Sequence, residues 1–350
     1  MGHTTGPGSS TIGPLASPSR RHLALALALM AVAAMSAVGV GPADAAVHRL
    51  QLASPISDGP VYEGDFADPA VLVTGTTYYA YGTNAGEENL PVIESTDLVH
   101  WKAQGDALPI LPPWAQTGFI WSPSVVADRG GGYELFFSAY DRTVKHQCIG
   151  RATAPSPLGP FVDDQQHPFL CQTALGGAID PAVYSTHGID YLVWKSDGED
   201  GQPQEIWAQQ LGVGDETLLG SPALLLVATQ SWEDGIVEGP TLALLGNTLY
   251  LFFSGNKWTS ANYAIGAVAC SSALGPCASA GTAPVLGSTS SALGPGGPAI
   301  FHVGGEALMA YAAWSNNDAG TSTKMRELFL GYISVSSTGT VSISERSSNS

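Results

Sequence analysis

Asp68-Pro69-Ala70-Val71, followed at Tyr78-Tyr79-Ala80-Tyr81 by an aromatic-rich run, is the first of five copies of one pattern. It returns as Ser122-Pro123-Ser124-Val125 before Tyr133-Glu134-Leu135-Phe136-Phe137, and as Asp180-Pro181-Ala182-Val183 before Tyr191-Leu192-Val193-Trp194. Gly239-Pro240-Thr241-Leu242 then precedes Leu249-Tyr250-Leu251-Phe252-Phe253, and Gly297-Pro298-Ala299-Ile300 precedes Leu308-Met309-Ala310-Tyr311. The prolines recur every 54 to 59 residues, and in the three central copies a third apolar segment starts 25 or 26 residues after the proline, at Ile149, Ile206 and Ile265. A unit of that length, holding several short β-type runs split by Gly, Pro, Asn and Asp, is a propeller blade. Five units predict an all-β fold, a five-bladed β-propeller over residues 61–340.

Composition agrees. The 350 residues include 42 Gly and 24 Pro, which suit many turns between short strands, and only 12% are charged. Arg20 and Arg21 precede an uncharged stretch over residues 23–40 that ends in Pro42-Ala43-Asp44-Ala45-Ala46. This order, basic then apolar then small residues, predicts a signal peptide over 1–45 and a secreted protein. Residues 46–60 are expected to be a linker or a closing strand, and 341–350 a C-terminal strand with a polar tail. Either a strand near 47–52 or one at 341–344 can close the ring. Without the first 45 residues, 11 basic residues face 29 acidic ones. Such a balance argues against nucleic acid and anionic membranes as partners and suits a monomer acting on a neutral substrate.

Four cysteines follow the signal segment. Three pairings are open, and closeness along the chain favours Cys148 with Cys171 and Cys270 with Cys277. No Cys-x-x-Cys occurs and the histidines are scattered singly, so a zinc site is not expected.

The innermost strand of each blade lines the central channel, so equivalent repeat positions converge on one axis. The two residues before the repeat prolines include Asp68, Asp180 and Glu238 in blades one, three and four. A single Asp-Pro reads as a turn initiator. Three carboxylates in five slots, in a chain with 30 acidic residues among 350, read as a site, because burying them costs several kcal/mol unless they are paired, hydrogen-bonded or protonated. Two carboxyl groups across a cleft are the minimal equipment for splitting a glycosidic bond, one donating a proton and the other activating water or attacking carbon. A third, near the acid, raises its pKa by like-charge repulsion.

Phe66-Ala67-Asp68-Pro69-Ala70-Val71, Ser95-Thr96-Asp97-Leu98-Val99-His100-Trp101, Trp121-Ser122-Pro123-Ser124-Val125, Ser156-Pro157-Leu158-Gly159-Pro160-Phe161, Ile179-Asp180-Pro181-Ala182-Val183 and Val237-Glu238-Gly239-Pro240 together resemble glycoside hydrolase family 43. The resemblance implies a propeller that inverts configuration at an arabinosyl or xylosyl centre, in an oligo- or polysaccharide substrate. It assigns Asp68 as general base, Glu238 as general acid and Asp180 as the modulator of that acid. Arg326 matches a fifth-blade arginine that in the family reaches the substrate pocket. Two departures stand out. Gly294-Pro295-Gly296-Gly297 has glycine where many members carry a histidine associated with a channel calcium or sodium ion, so no cofactor is expected, a channel calcium being the one candidate. Ser124 stands where the second-blade pattern has an acidic residue.

Trp121, in the channel slot of blade two, is a candidate for stacking on a sugar ring. Trp258 and Trp232 are loop aromatics near the acid, and His302 reads as structural. Two competing readings are a retaining fructan-active propeller, in which Asp68 would be a nucleophile, and a non-catalytic carbohydrate-binding propeller.

Overall fold

The computed structural model describes residues 59–315 and 325–344. The segments read above as a signal peptide (1–45) and as most of a linker or closing strand (46–58), together with the tail from 345, lie outside the described residues.

Among the described residues, eighteen strands form five antiparallel sheets, one per repeat. Blade one is β1 (Ala70–Thr74), β2 (Thr77–Tyr81), β3 (Pro91–Ser95) and β4 (Lys102–Asp106), and blade two is β5 (Ala115–Ala127), β6 (Tyr133–Asp141) and β7 (His146–Ala154). Blade three is β8 (Ala178–Thr186), β9 (Ile189–Ser196), β10 (Glu205–Leu211) and β11 (Leu218–Val227). Blade four is β12 (Val237–Leu245), β13 (Thr248–Gly255) and β14 (Ala264–Cys270), and blade five is β15 (Leu293–Val303), β16 (Glu306–Trp314), β17 (Glu327–Val335) and β18 (Val341–Ser344). Within each blade the strands pair in chain order, the result expected of short hairpin loops. The β8–β9 loop shows why they are short: His187 and Gly188 both sit at positive φ, as a two-residue hairpin turn requires.

The core is not a single mass but five seams, one between each pair of neighbouring blades. The paired aromatics of the repeat explain this. Side chains alternate faces along a strand, so Phe136 enters the seam with blade three beside Trp194, while Phe137 enters the seam with blade one beside Leu135 and Trp114. Phe252 and Phe253 split in the same way between the seams with blades five and three. Phe66, Tyr78, Phe301 and Leu330 fill the seam that joins blade five to blade one.

Ring closure is shared between the two ends of the fold. Val341–Ser344 forms the outermost strand of blade five, paired with β17. From the other end, Val61 N–H donates to Leu328 O (2.8 Å) and Phe66 N–H to Arg326 O (2.7 Å), which fastens the approach to blade one onto blade five. Disulfides join Cys148 of β7 to Cys171 and Cys270 at the end of β14 to Cys277, each tying a strand to the loop that follows it.

Candidate active site

The repeat proline marks a break in the inner strand. The register between the first two strands shifts at Trp121/Ser124, Ile179/Ala182, Glu238/Thr241 and Gly296/Ala299, which places a bulge at the proline in blades two to five. In all five blades the preceding residue has positive φ: Asp68 (49°), Ser122 (44°), Asp180 (55°), Gly239 (55°) and Gly297 (66°). Proline brings no ladder donor, and a bulge re-aims the neighbouring side chains. Glycine takes a positive φ at no steric cost and aspartate tolerates it by local hydrogen bonding. The same conformation therefore supplies Asp side chains in blades one and three and bare glycine in blades four and five.

A cavity of 660 Å³ opens at this level, with Asp68, Asp180 and Glu238 in its wall alongside Thr83, Trp121, Lys195 and Tyr263. A smaller axial cavity of 190 Å³, lined by the five proline segments themselves, shares Asp68, Ser122 and Asp180 with it. Thr83 Oγ1 donates to Asp68 Oδ2 (2.8 Å) and accepts the N–H of Ser122 (3.1 Å). Burial pushes the Asp68 carboxyl up from its ordinary value, and the charges of Glu238 and Asp65 add to the push, against Arg326 and Thr83. Asp180 accepts the N–H of Gly239 at Oδ2 (2.8 Å) and gives its own N–H to Ser138 Oγ (2.9 Å). Burial, then the charge of Glu238, raises it to about 7, with Lys195 opposing. Glu238 takes a donor on each oxygen, Tyr263 Oη at 2.8 Å on Oε1 and Lys195 Nζ at 2.9 Å on Oε2. Burial pushes the Lys195 ammonium down, but Glu238 and Asp180 outweigh it and hold it above its ordinary value. Blades one, three and four thus deliver three carboxylates to one cavity, each held by named partners.

Residues 57–341 match the family described as glycosyl hydrolases family 43. The chain belongs to that family. It is 30% identical over 109 residues to an extracellular endo-α-(1→5)-L-arabinanase of Thermotoga petrophila, covering 27% of this chain and 22% of that protein. It is also 30% identical over 159 residues to an arabinoxylan arabinofuranohydrolase of Bacillus subtilis, covering 36% of this chain and 30% of that one. The matched stretches therefore span less than a third of either relative. The crystal structure of a thermostable family-43 glycoside hydrolase superposes with a TM-score of 0.74 at 24% identity, over 83% of this chain and 96% of that one.

The remaining candidates divide between the family 43 cavity and its surroundings. Trp121 lines the cavity with its ring tilted against Phe119 (6.2 Å between centroids), and Trp258 lines it with 57% of its surface exposed. Arg326 also borders it, but the guanidinium is buried and engaged with the scaffold. Its terminal nitrogens donate to the carbonyls of Ala312 (2.6 Å), Gly294 and Trp258 (both 3.3 Å), and it lies 5.0 Å over the Tyr263 ring and 4.8 Å over that of Trp314. Trp232 packs on Phe253 and donates to Gly281 O, so it braces loops. His302 is exposed near the β15–β16 turn, among residues that line a different cavity. Ser124 accepts the N–H of Val183 and ties blade two to blade three.

At the fifth-blade position where a channel histidine would stand, a Cβ added to Gly297 would lie 2.9 Å from Asp68 Oδ1 and 3.0 Å from Asp68 Cα. Nor do the described residues contain a group of three or more His, Cys, Asp or Glu placed to hold an ion. A side chain at Gly297 has no room beside Asp68, so the histidine that many members carry at this position does not fit this backbone.

Three residues of the site were not singled out from sequence: Thr83, Lys195 and Tyr263. Lys195 left a trace, a charge at the end of the apolar run Tyr191-Leu192-Val193-Trp194 in a chain poor in charge. Tyr263 left none, because it arrives from a loop whose path no periodicity records. Its ring fills the space beside Gly296, where an added Cβ would collide with Tyr263 Cε1.

Proposed function

We propose that this family 43 chain is an exported, monomeric glycoside hydrolase that cleaves α-L-arabinofuranosyl or β-xylosyl linkages in plant cell-wall polysaccharide with inversion of configuration. The convergence of Asp68, Asp180 and Glu238 on one cavity carries the reading. Asp68, held by Thr83, is the base that takes a proton from the attacking water. Glu238 is the acid that protonates the leaving oxygen. Asp180 is the modulator: its charge and that of Glu238 disfavour each other, which raises the pKa of the acid, and it is fastened to the next backbone N–H along from Glu238. Trp121 and Trp258 offer apolar faces to sugar rings, and Arg326 stiffens the wall through Tyr263. The acidic balance of the chain suits a neutral substrate.

The test is a product profile on arabinan, arabinoxylan, xylan, levan and aryl pentosides, with proton NMR of the first-formed sugar. Inverted arabinose or xylose is expected. A first product that retains configuration, or turnover of levan alone, overturns the proposal; saccharide binding without cleavage leaves a carbohydrate-binding propeller. Glu238→Gln is expected to lower kcat/KM by at least about 10²-fold on substrates with poor leaving groups.

A further inference from the structure

Lys195 occupies a position where two other blades place a small hydroxyl. On the second strand of a blade, the residue paired with the slot two before the repeat proline is Ser138 in blade two, opposite Trp121, and Ser254 in blade four, opposite Glu238. In blade three the residue opposite Ile179 is Lys195. Both serines serve the seam ahead of them. Ser138 Oγ accepts the N–H of Asp180 (2.9 Å) and Ser254 Oγ that of Gly297 (2.9 Å), each donor being the positive-φ residue of the following blade.

Between blades three and four that hydroxyl is missing. The equivalent donor, Gly239 N–H, goes to Asp180 Oδ2 instead (2.8 Å), while the lysine ammonium, on a residue only 4% exposed, reaches across the seam to Glu238 Oε2 (2.9 Å). One departure from the repeat thus ties two of the three carboxylates: Asp180 to the backbone next to Glu238, and Glu238 to blade three. Two buried carboxylates this close repel, and a buried ammonium hydrogen-bonded to Glu238 and acting electrostatically on Asp180 offsets that repulsion where water cannot.

We propose that Lys195 is the positioning residue of the proton donor, holding the Glu238 carboxyl on the blade-three side of the cavity and, by standing where a serine would, committing Asp180 to the backbone beside it. The proposal rests on the reading of Glu238 as the acid. The ionisable groups that face Glu238 are Asp180 from β8, Lys195 at the end of β9 with Asp197 just beyond it, Tyr263 before β14, Asp68 before β1 and Arg326 before β17.

A misplaced acid is felt only where the leaving group needs a proton, which separates positioning from general structural support. The experiment compares kcat/KM for wild type, Lys195→Met, Lys195→Gln, Lys195→Arg and Glu238→Gln on pentosides bearing a 2,4-dinitrophenyl or an alkyl aglycone, with thermal unfolding of each variant. Lys195→Met and Lys195→Gln are expected to lose at least about 30-fold on the alkyl pentoside and under about threefold on the dinitrophenyl one, and Lys195→Arg to recover part of the alkyl rate.

Equal losses on both aglycones, or no loss on either, in a folded Lys195→Met or Lys195→Gln overturn the proposal. Failure of both neutral variants to fold while Lys195→Arg shows wild-type rates on both aglycones also overturns it, since the lysine's role would then be stability. If Glu238→Gln itself does not discriminate between aglycones, the underlying acid assignment fails. If Glu238→Gln discriminates and the lysine variants do not, only the role of Lys195 falls.

Discussion

Gly297→Ala tests whether the positive-φ slot positions the base. Gly297 is the slot residue of blade five, with φ 66° and its N–H held by Ser254 Oγ, and the space a Cβ would take there is filled by Asp68 of blade one. An alanine there meets two penalties. The left-handed backbone costs about 1–2 kcal/mol for a residue with a Cβ. The Cβ would also lie 3.0 Å from Asp68 Cα and 2.9 Å from Asp68 Oδ1, and the first of these is backbone that no rotamer change can clear. Either the seam between blades five and one opens by a few tenths of an ångström or Asp68 turns away from Thr83. The expected cost is about 2–4 kcal/mol, which lowers Tm by about 3–7 °C in a domain of this size.

Gly75 supplies the control. It has a similar φ, 61°, in the β1–β2 turn, and an added Cβ would meet nothing within 4 Å. Gly75→Ala should therefore carry the backbone penalty alone, with unchanged activity. Differential scanning calorimetry and kcat/KM on an aryl pentoside are the assays, and Gly297→Ala is expected to lose more than about tenfold in kcat/KM because the base is displaced. If the two variants match in Tm and both keep full activity, the seam contact does not position Asp68 and the argument from the slot fails.

Asp180, at about 7 rather than its ordinary 3.8, keeps in the folded state a proton that the unfolded chain has already released. Its contribution to stability is therefore fully present below about 3.8 and is lost as pH rises towards about 7, so Asp180→Asn should flatten the Tm–pH curve across that window, read by calorimetry in a buffer series. Arg326→Lys leaves carbonyls that the guanidinium fork now satisfies without donors, and is expected to cost about 2–4 kcal/mol in a denaturant titration. Removing the Cys148–Cys171 bridge, which spans 23 residues, should cost about 3 kcal/mol, and removing Cys270–Cys277, which spans 7, about 2.5 kcal/mol, both read from shifts in the denaturant midpoint.

The blade count was legible in the sequence because each blade repeats the same burial problem. The Phe136-Phe137 and Phe252-Phe253 pairs had to face two seams at once, and only a strand between two neighbours does that. The carboxylates were legible because they stand at a repeat position, and that position is spatial. What was not legible came from outside the repeat register. Tyr263 enters from a loop, and the backbone carbonyls that hold the Arg326 guanidinium at the cavity wall come from three separate segments that no period links. The positive φ at the slot left a recoverable signal: Asp, Ser, Asp, Gly and Gly before the five prolines are all residues that turns favour, with no β-branched residue among them.

The slot also explains why the proposed acid is offset by one residue from the other two carboxylates. In blades one and three the carboxylate belongs to the positive-φ residue itself, and Asp is the acidic side chain that conformation accepts most readily. Glu238 lies one residue earlier, on regular strand opposite Ser254, and leaves the strained slot to Gly239. Strand backbone places no such limit on side-chain length, so a longer side chain can stand there and reach both Tyr263 and the lysine across the seam. Exchanging the two arrangements should therefore fail in an asymmetric way. Glu238→Asp keeps the backbone but draws the carboxyl back by one methylene from Tyr263 and Lys195, so it should fold normally and lose activity. Asp180→Glu places a longer, less tolerant side chain in the slot and crowds the Gly239 N–H, so it should lose stability as well. Equal unfolding temperatures for the two variants would show that the slot, for all its recurrence, does not decide which acidic residue each blade can carry.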